Sequence, residues 1–282
     1  MRFLRGDTGC WSAPMRIAPI PRRSRSRLGK WIRCGCRLSS FNVSDKVQST
    51  LASEVGTHLR DEGWAVTPPL MPSPILDALA SELAPCLDGE SARGGARNLL
   101  QFSSVQSLAR SEPVRAVAEA ALGKGCFAVR GILFDKTAGA NWKVVWHQDL
   151  TIAVKEQRDV EGFGTWSKKS GVPHAQAPDS ILEEMIAVRV HLDDCGSDNG
   201  PVRVIPRSHT SGRLPPLQVE AWKAEHPVVE CLVNRGGILA FFPLILHASS
   251  PATRPGHRRV VHLEFAARSL PGGLEWYNTV GV

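Results

Sequence analysis

Two residues near the middle of the chain, His147 and Asp149, have the types and the spacing of metal ligands. They lie in a segment, residues 143–154, whose alternating pattern predicts a β-strand. Side chains at positions i and i+2 of a strand point to the same face, so the imidazole and the carboxylate are expected to converge. Such donors suit a divalent transition metal. The spacing is common, however, and by itself it also fits a surface or turn hydrogen bond.

A third candidate ligand, His247, ends an apolar run over residues 236–246 that is typical of a buried strand. Alone, it could be a histidine of the core. Together with His147 and Asp149, it completes the set of two histidines and one carboxylate that holds non-haem Fe(II) and leaves one face of the metal open. A bidentate 2-oxo acid and O2 would fit the open positions.

Three polar residues are candidates for binding an acidic cosubstrate. Arg258 follows His247 by eleven residues and opens a predicted strand, and its guanidinium is a planar two-donor fork for a carboxylate. Ser249 lies two residues after His247 and could donate its hydroxyl to the same carboxylate. Arg189 lies on the polar face of a predicted strand, residues 185–192, and either lines a pocket or faces bulk water.

The elements that would position these residues are predicted from periodicity and turn signals. Helices are expected from Ser44 to Gly63, from Ser73 onward and over residues 113–122. The strands that follow are predicted at residues 127–134, 143–154, 185–192, 202–205, 228–233, 237–242 and 259–265. The expected fold class is therefore mainly β with N-terminal helices, a sandwich or barrel whose commonest form is the antiparallel jelly roll.

Several blocks of the sequence resemble the phytanoyl-CoA dioxygenase family of Fe(II)- and 2-oxoglutarate-dependent oxygenases. The matching segments are Phe134-Asp135-Lys136 with Asn141-Trp142, Trp146-His147-Gln148-Asp149, residues 193–209, His247-Ala248-Ser249-Ser250-Pro251 and Arg258-Arg259. The blocks occur in the family's order and spacing and cover roughly residues 44–268. One departure is Arg207, which stands where a glycine usually precedes the Ser-His pair.

The resemblance implies a double-stranded β-helix (a cupin-like jelly roll) and a catalytic iron site. In it, Fe(II) is held by His147, Asp149 and His247. The cosubstrate 2-oxoglutarate is held by Arg258 and Ser249, and O2 is the second cosubstrate. Arg189 occupies a position that faces the cosubstrate in relatives, where a different residue often stands, so its role is left open.

The carboxylate at position 149 bears on the type of reaction. Halogenating relatives carry a small residue at this position, so Asp149 favours hydroxylation, with release of succinate and CO2. Two other functions stay open at this stage: a non-catalytic jelly-roll protein with a structural metal, and a cupin-type dioxygenase that needs no 2-oxo acid.

The basic character of the chain is confined to its start. Residues 1–40 hold ten of the 34 Lys and Arg residues and one acidic residue, which leaves 24 basic and 26 acidic residues for the rest. Residues 1–42 are interpreted as a disordered or mis-started extension, an organelle transit segment or a basic arm for RNA. The predicted single domain spans residues 43–282, with a helical layer at 43–125 and a jelly-roll core at 126–268.

Composition excludes several partners and compartments. No run of apolar residues is long enough for a membrane helix, and the near-neutral domain gives no support to a nucleic-acid groove. The seven cysteines form no CxxC motif, which excludes a zinc ribbon and a thioredoxin motif. A reducing compartment is the default expectation; we expect the cytoplasm, with organelle targeting by residues 1–40 as the alternative. The expected partner is a small-molecule substrate, and the sequence leaves the oligomeric state open.

One long segment, residues 155–184, bears on substrate choice. It contains Trp166, Lys168, Lys169 and His174, and it interrupts the predicted strands. It is interpreted either as a lid over the substrate or as a disordered excursion.

Overall fold

The computed structural model describes residues 45–87 and 95–281, with backbone only for residues 45–50. The predicted N-terminal extension lies outside the described residues, and its separation from a single domain stays a prediction. The helices are α1 Asp45–Glu62, α2 Ser73–Leu83, α3 Ser103–Arg110, α4 Glu112–Leu122, α5 Asp179–Leu182 and α6 Pro216–Glu225. Within these ranges, no helix has the length and apolar composition needed to cross a membrane.

The three predicted N-terminal helices are present, and they end where the sequence signals place them. α1 ends before Gly63 and α4 before Gly123, because a glycine with positive φ stops each helix. Pro74 and Pro113 lie in the first turns of α2 and α4, where the missing N–H of proline costs nothing. Helix α3 was not predicted, since it is only two turns long.

The strands form antiparallel sheets. Their bounds are β1 Trp64–Val66, β2 Phe127–Asp135, β3 Val144–His147, β4 Thr151–Ala153, β5 Gly164–Lys169, β6 Val172–Gln176, β7 Met185–His191, β8 Val202–Val204, β9 Val229–Cys231, β10 Ile238–Phe241, β11 His247–Ser249, β12 Arg259–Ala266 and β13 Val280–Gly281. The six-stranded sheet has the order β1-β10-β7-β12-β2-β13, the four-stranded sheet β3-β11-β8-β9, and the three-stranded sheet β4-β6-β5. The predicted mainly β class with N-terminal helices is therefore confirmed.

The six-stranded sheet is buried on both faces. One face, which includes Val188, Val261 and Leu263, packs against the helices. The other face carries Leu239 and Phe241, which pack with Val204 and Cys231 of the four-stranded sheet. Side chains between these two sheets are thus held in an interior in which every polar group needs a partner.

The single strand predicted over residues 143–154 is wrong. Strand β3 ends at His147 and pairs within the four-stranded sheet, whereas β4 begins at Thr151 and belongs to the three-stranded sheet. The chain therefore changes sheets at Gln148 to Leu150, and Asp149 lies in this connection. Periodicity did not reveal the break because both short strands alternate.

Residues 155–184 contain ordered structure, so the disordered alternative for this segment is wrong. Strands β5 and β6 form a hairpin whose two-residue turn has φ of 48° at Ser170 and 81° at Gly171, as in a type I′ turn. Phe163 and Ala175 belong to a cluster of buried hydrophobic residues that also contains Ile152 of β4, so the three-stranded sheet has a hydrophobic core.

Two helix-ending glycines allow a matched test of packing. Gly63 and Gly123 have nearly equal φ values, 85° and 84°. A Cβ at Gly63 would lie 2.3 Å from Nδ1 of His209, whereas a Cβ at Gly123 would meet nothing within 4 Å. The His209 ring is held by stacking on Phe242.

We expect Gly123→Ala to lower the free energy of unfolding by about 1–3 kcal/mol, because its φ of 84° and ψ of 170° lie in a region that is essentially restricted to glycine. Gly63→Ala should cost roughly 1–3 kcal/mol more because of the clash with His209. Urea denaturation of both variants measures the difference, and equal losses would contradict the packing argument.

Candidate metal and cosubstrate site

Pairing between β3 and β11 brings two of the predicted ligands together. His147 lies directly opposite His247 in the register, and their ring centroids are 4.2 Å apart. Asp149 reaches the same point from the connection after β3, where its backbone N–H donates to the carbonyl of Pro243 at 2.9 Å. Each residue is therefore positioned by backbone hydrogen bonds.

The three side chains converge on one point. Asp149 Oδ1 lies 3.6 Å from His147 Nε2, and Asp149 Oδ2 lies 3.5 Å from His247 Nε2. One ligand atom from each residue lies within 4.8 Å of the other two, a spacing that a single ion could bridge. His247 is 6% exposed, whereas His147 and Asp149 are 35% and 38% exposed, so the cluster is open on one side.

Both imidazoles present Nε2 to this point. Nδ1 of His147 lies 2.8 Å from the carbonyl of Val145, and Nδ1 of His247 lies 3.0 Å from the carbonyl of Ile245. Donation from Nδ1–H to a carbonyl fixes the tautomer and leaves the Nε2 lone pair free for a metal. The donor set therefore fits a divalent ion such as Fe(II).

The charge states of the cluster also suit metal binding. Burial lowers the pKa of His247 to about 4, so this imidazole is neutral near pH 7. Desolvation raises the pKa of Asp149, but the imidazoles of His247 and His147 outweigh it, so the net shift is downward and the carboxyl is ionised.

Gln148 fixes the segment between the two ligands. Its amide nitrogen donates to the carbonyls of Gly212 at 2.8 Å and Leu244 at 2.6 Å, and its oxygen accepts from the backbone N–H of Leu214 at 2.8 Å. The side chain is buried. Gln148, whose side chain points away from the metal cluster, therefore holds the neighbouring Asp149 in place.

Buried cations lie beside the metal cluster, at the start of β12. Arg258 is buried and donates to the carbonyl of Gly200 at 2.8 Å, while Lys136 is 1% exposed and donates to Ser249 Oγ at 3.1 Å. Burial, followed by the neighbouring Arg258, lowers the pKa of Lys136 to about 8. Among residues 45–87 and 95–281, neither cation forms an ion pair with a carboxylate.

Arg189, the third predicted cosubstrate residue, faces the same interior. Its guanidinium lies 5.2 Å from the ring centroid of Phe134 and 5.9 Å from that of Phe241, and its Nε has no hydrogen-bond partner within the described part of the chain. Burial, followed by the nearby Arg258, lowers its pKa to about 10. The reading that it faces bulk water is therefore wrong.

Lys136 belongs to a block that resembles the family, but it was not assigned to the cosubstrate site from the sequence. It exchanges backbone hydrogen bonds with Arg258, Lys136 N to Arg258 O at 3.4 Å and the reverse pair at 3.1 Å, so β2 brings it to the anchor position. Apart from the resemblance, the signal in the sequence is a lysine directly after a strong strand pattern. The pairing of β2 with β12 shows that this lysine lies beside Arg258.

Comparisons with known proteins agree with this arrangement. The family model of phytanoyl-CoA dioxygenase (PhyH) matches residues 88–260. No curated protein sequence matches the chain significantly.

Solved structures resemble the chain in fold. AviO1 from Streptomyces viridochromogenes Tue57 is 20% identical with a TM-score of 0.57, and the match covers 78% of this chain and 96% of that protein. SnoK, a non-heme alpha ketoglutarate dependent carbocyclase from nogalamycin biosynthesis, is 14% identical with a TM-score of 0.60, covering 78% and 85%. EctD from S. alaskensis with 2-oxoglutarate and 5-hydroxyectoine is 17% identical with a TM-score of 0.58, covering 76% and 75%. Identities this low establish the fold alone.

Replacing Gln148 tests how the ligand segment is held. Gln148→Ala would leave two carbonyls and one N–H without their partner, so we expect the free energy of unfolding to fall by about 3 kcal/mol. Metal affinity should fall roughly tenfold, because Asp149 loses its support. Competition with a chelator and urea denaturation measure the two effects, with Gln101→Ala at an exposed position as the control. Unchanged metal affinity would show that Gln148 does not position Asp149.

Proposed function

This chain belongs to the phytanoyl-CoA dioxygenase family, whose model matches more than half of it, and we propose that it is an Fe(II)- and 2-oxoglutarate-dependent dioxygenase that hydroxylates a C–H bond of a small molecule. Succinate and CO2 would be the products of the cosubstrate. The observation that carries the proposal is a convergent His-Asp-His cluster beside buried cations that have no carboxylate partner among the described residues.

The proposed architecture is a double-stranded β-helix. Its support is the way in which the strands alternate along the chain between the two facing sheets. Strands β2, β7, β10 and β12 belong to the six-stranded sheet, whereas β3, β8, β9 and β11 belong to the four-stranded sheet. In the proposed architecture, the metal cluster would lie between the sheets.

The proposed metal ligands are Nε2 of His147, a carboxylate oxygen of Asp149 and Nε2 of His247. Bound Fe(II) would activate O2, which would then oxidise 2-oxoglutarate and the substrate C–H bond. The protein holds both imidazoles in the metal-binding tautomer and keeps Asp149 ionised. It also leaves one side of the cluster accessible to small molecules.

The proposed cosubstrate anchor consists of Arg258, Lys136 and Ser249. Two buried cations without a carboxylate are costly, and an incoming dicarboxylate would restore charge balance in the desolvated interior. The guanidinium of Arg258 offers a two-donor fork, while the Lys136 ammonium and the Ser249 hydroxyl supply further donors. Arg189 is proposed to stabilise the negative charge of the bound cosubstrate electrostatically, without a direct hydrogen bond to it.

The cations also favour this proposal over its alternatives. In a structural metal site, or in a dioxygenase that needs no 2-oxo acid, the positive charges of Arg258, Lys136 and Arg189 would stay buried without an anion to neutralise them. The hydrogen bonds of these residues to neutral backbone and hydroxyl groups do not neutralise their charge. A dianionic cosubstrate does.

Visible absorption under anaerobic conditions tests the metal and cosubstrate sites separately. We expect a charge-transfer band in the wild type only when both Fe(II) and 2-oxoglutarate are present, and no band in His147→Ala. Arg258→Met should keep its iron affinity but lose roughly tenfold or more in affinity for 2-oxoglutarate, since it loses a charge-assisted pair of hydrogen bonds.

His226→Ala is the matched control for this experiment, because His226 stacks on Trp222 outside the cluster. It should retain the band. A band that persists in His147→Ala would contradict the assigned ligands. Equal losses of iron and 2-oxoglutarate in Arg258→Met would contradict the role of the anchor.

The depressed pKa of Lys136 predicts a pH dependence. In the free protein, Lys136 is protonated below its pKa of about 8 and neutral above it. Affinity for 2-oxoglutarate should therefore be constant at lower pH and fall as the pH rises through this value. Titration calorimetry with the metal-loaded protein measures it. Lys136→Met should bind weakly with no inflection near that pH, and an unchanged inflection in this variant would assign the titration to another group.

A further inference from the structure

The interior has a second charged end that the iron and 2-oxoglutarate sites do not use. Arg258, the residue that precedes β12, and Glu264, within β12, are six residues apart, which corresponds to about 20 Å along the strand. The Asp149 carboxylate interacts electrostatically with His262 and with Glu264, so it lies toward the Glu264 end. The Glu264 end is therefore separate from the end that carries the cosubstrate anchor.

A small cavity of about 10 Å³, room for roughly one water molecule, lies beside Asp149 at this second end. It is lined by Asp149, Thr151 and Glu264 together with apolar side chains that include Leu182 and Met185. A larger molecule would reach this point from the open side of the metal cluster, where the His147 and Asp149 side chains are 35% and 38% exposed.

Three cations lie near Thr151 and Glu264, which line the cavity: Arg130, Lys169 and Arg97, the last through its electrostatic interaction with the other two. They are referred to here as the cationic mouth. Arg130 donates to Glu264 Oε1 at 3.1 Å and to the Thr151 carbonyl at 3.4 Å. Lys169 donates to the Thr151 hydroxyl at 3.2 Å.

The β5–β6 hairpin carries Lys169 to this position. Lys169 and His174 lie on the same face of the three-stranded sheet as Thr151, because Thr151 pairs with Gln176 and Lys169 with Val172. The hairpin tip is tied to the segment of Arg97, since the Asn98 amide donates to the Ser170 carbonyl at 3.4 Å.

The cationic mouth has more positive than negative charge. Glu264 pairs with Arg130, whereas Arg97 and Lys169 form no ion pair within residues 45–87 and 95–281. Burial lowers the pKa of Lys169, and Arg130 and Arg97 lower it further, which shows that the cations repel one another. A bound anion would relieve both the repulsion and the desolvation.

His174 adds an unpartnered polar atom to this end. The residue is 2% exposed, and its Nε2 has no hydrogen-bond partner among the described residues. Burial, with contributions from Arg130 and Lys169, keeps its pKa at about 4, so the ring is neutral and does not neutralise Glu264. The surplus positive charge thus remains with Arg97 and Lys169.

Resting on the function proposed above, we propose that the cationic mouth binds an acidic group of the substrate, so that this enzyme acts on small molecules that carry a carboxylate or a phosphate. The acidic group lies at Arg97 and Lys169, and the rest of the substrate lies at the open side of the metal cluster, beside Asp149. The reacting C–H bond is thereby held near the metal. The cosubstrate stays at the Arg258 end.

Saturation-transfer NMR on the protein loaded with Zn(II), a diamagnetic substitute for Fe(II), and with 2-oxoglutarate tests this assignment. The probes are 3-phenylpropanoate, phenyl phosphate and the neutral 3-phenylpropanamide. We expect the acids to bind and the amide to bind roughly tenfold more weakly or not at all. Whichever acid binds more tightly identifies the group as a carboxylate or a phosphate.

Lys169→Met and Arg97→Gln should each weaken binding of the acidic probe roughly tenfold. Lys168→Met is the matched control: it makes the same change of charge one residue away, on the exposed opposite face of β5, and should leave binding unchanged. Equal binding of acid and amide, or acid binding that survives both Lys169→Met and Arg97→Gln, would overturn the proposal. Calorimetric titration with 2-oxoglutarate, done on the same samples, reports failure of the proposed function separately.

Discussion

The antiparallel pairing of β3 with β11 is the constraint on which the site depends. It sets His147 opposite His247 in two short strands that are far apart in sequence, and it leaves the chain to turn at Gln148 so that Asp149 meets both rings. The backbone carbonyls of the same strands then orient the imidazoles. Sheet formation therefore places the two histidines, and the hydrogen bonds of Gln148 hold the connection that carries Asp149.

Burial of unpaired positive charge is the second organising feature. Arg258, Lys136 and Arg189 all face a desolvated interior, where neutral hydrogen-bond partners satisfy only part of their requirement. In the proposed function, the stability given up here would create a preorganised anion site. At the opposite end of β12 the balance differs, because Glu264 neutralises Arg130 and the surplus charge lies on half-buried residues at the opening. The two ends thus provide different electrostatic environments.

Much of the architecture could be predicted from local patterns, and the errors have physical causes. Helices α1, α2 and α4 were predicted because capping residues and apolar spacing agree. Residues 143–154 were merged into one strand because the alternation continues through the change of sheet at Gln148. The order around residues 155–184 was undecidable from the sequence, since the hairpin is stabilised by packing of Phe163 and Ala175 that composition does not show.

The sequence by itself determined the chemical inventory: a histidine and a carboxylate two residues apart, a histidine at the end of an apolar strand, and an arginine eleven residues later. Residue types and short spacings fix these, because chemistry and local geometry are properties of the chain. Only the tertiary structure decided that Lys136 pairs with Arg258 and that Lys169 contacts Thr151 and interacts electrostatically with Arg97 and Asp149. These neighbours come from strand order and hairpin position, which are set by long-range pairing and burial rather than by local pattern.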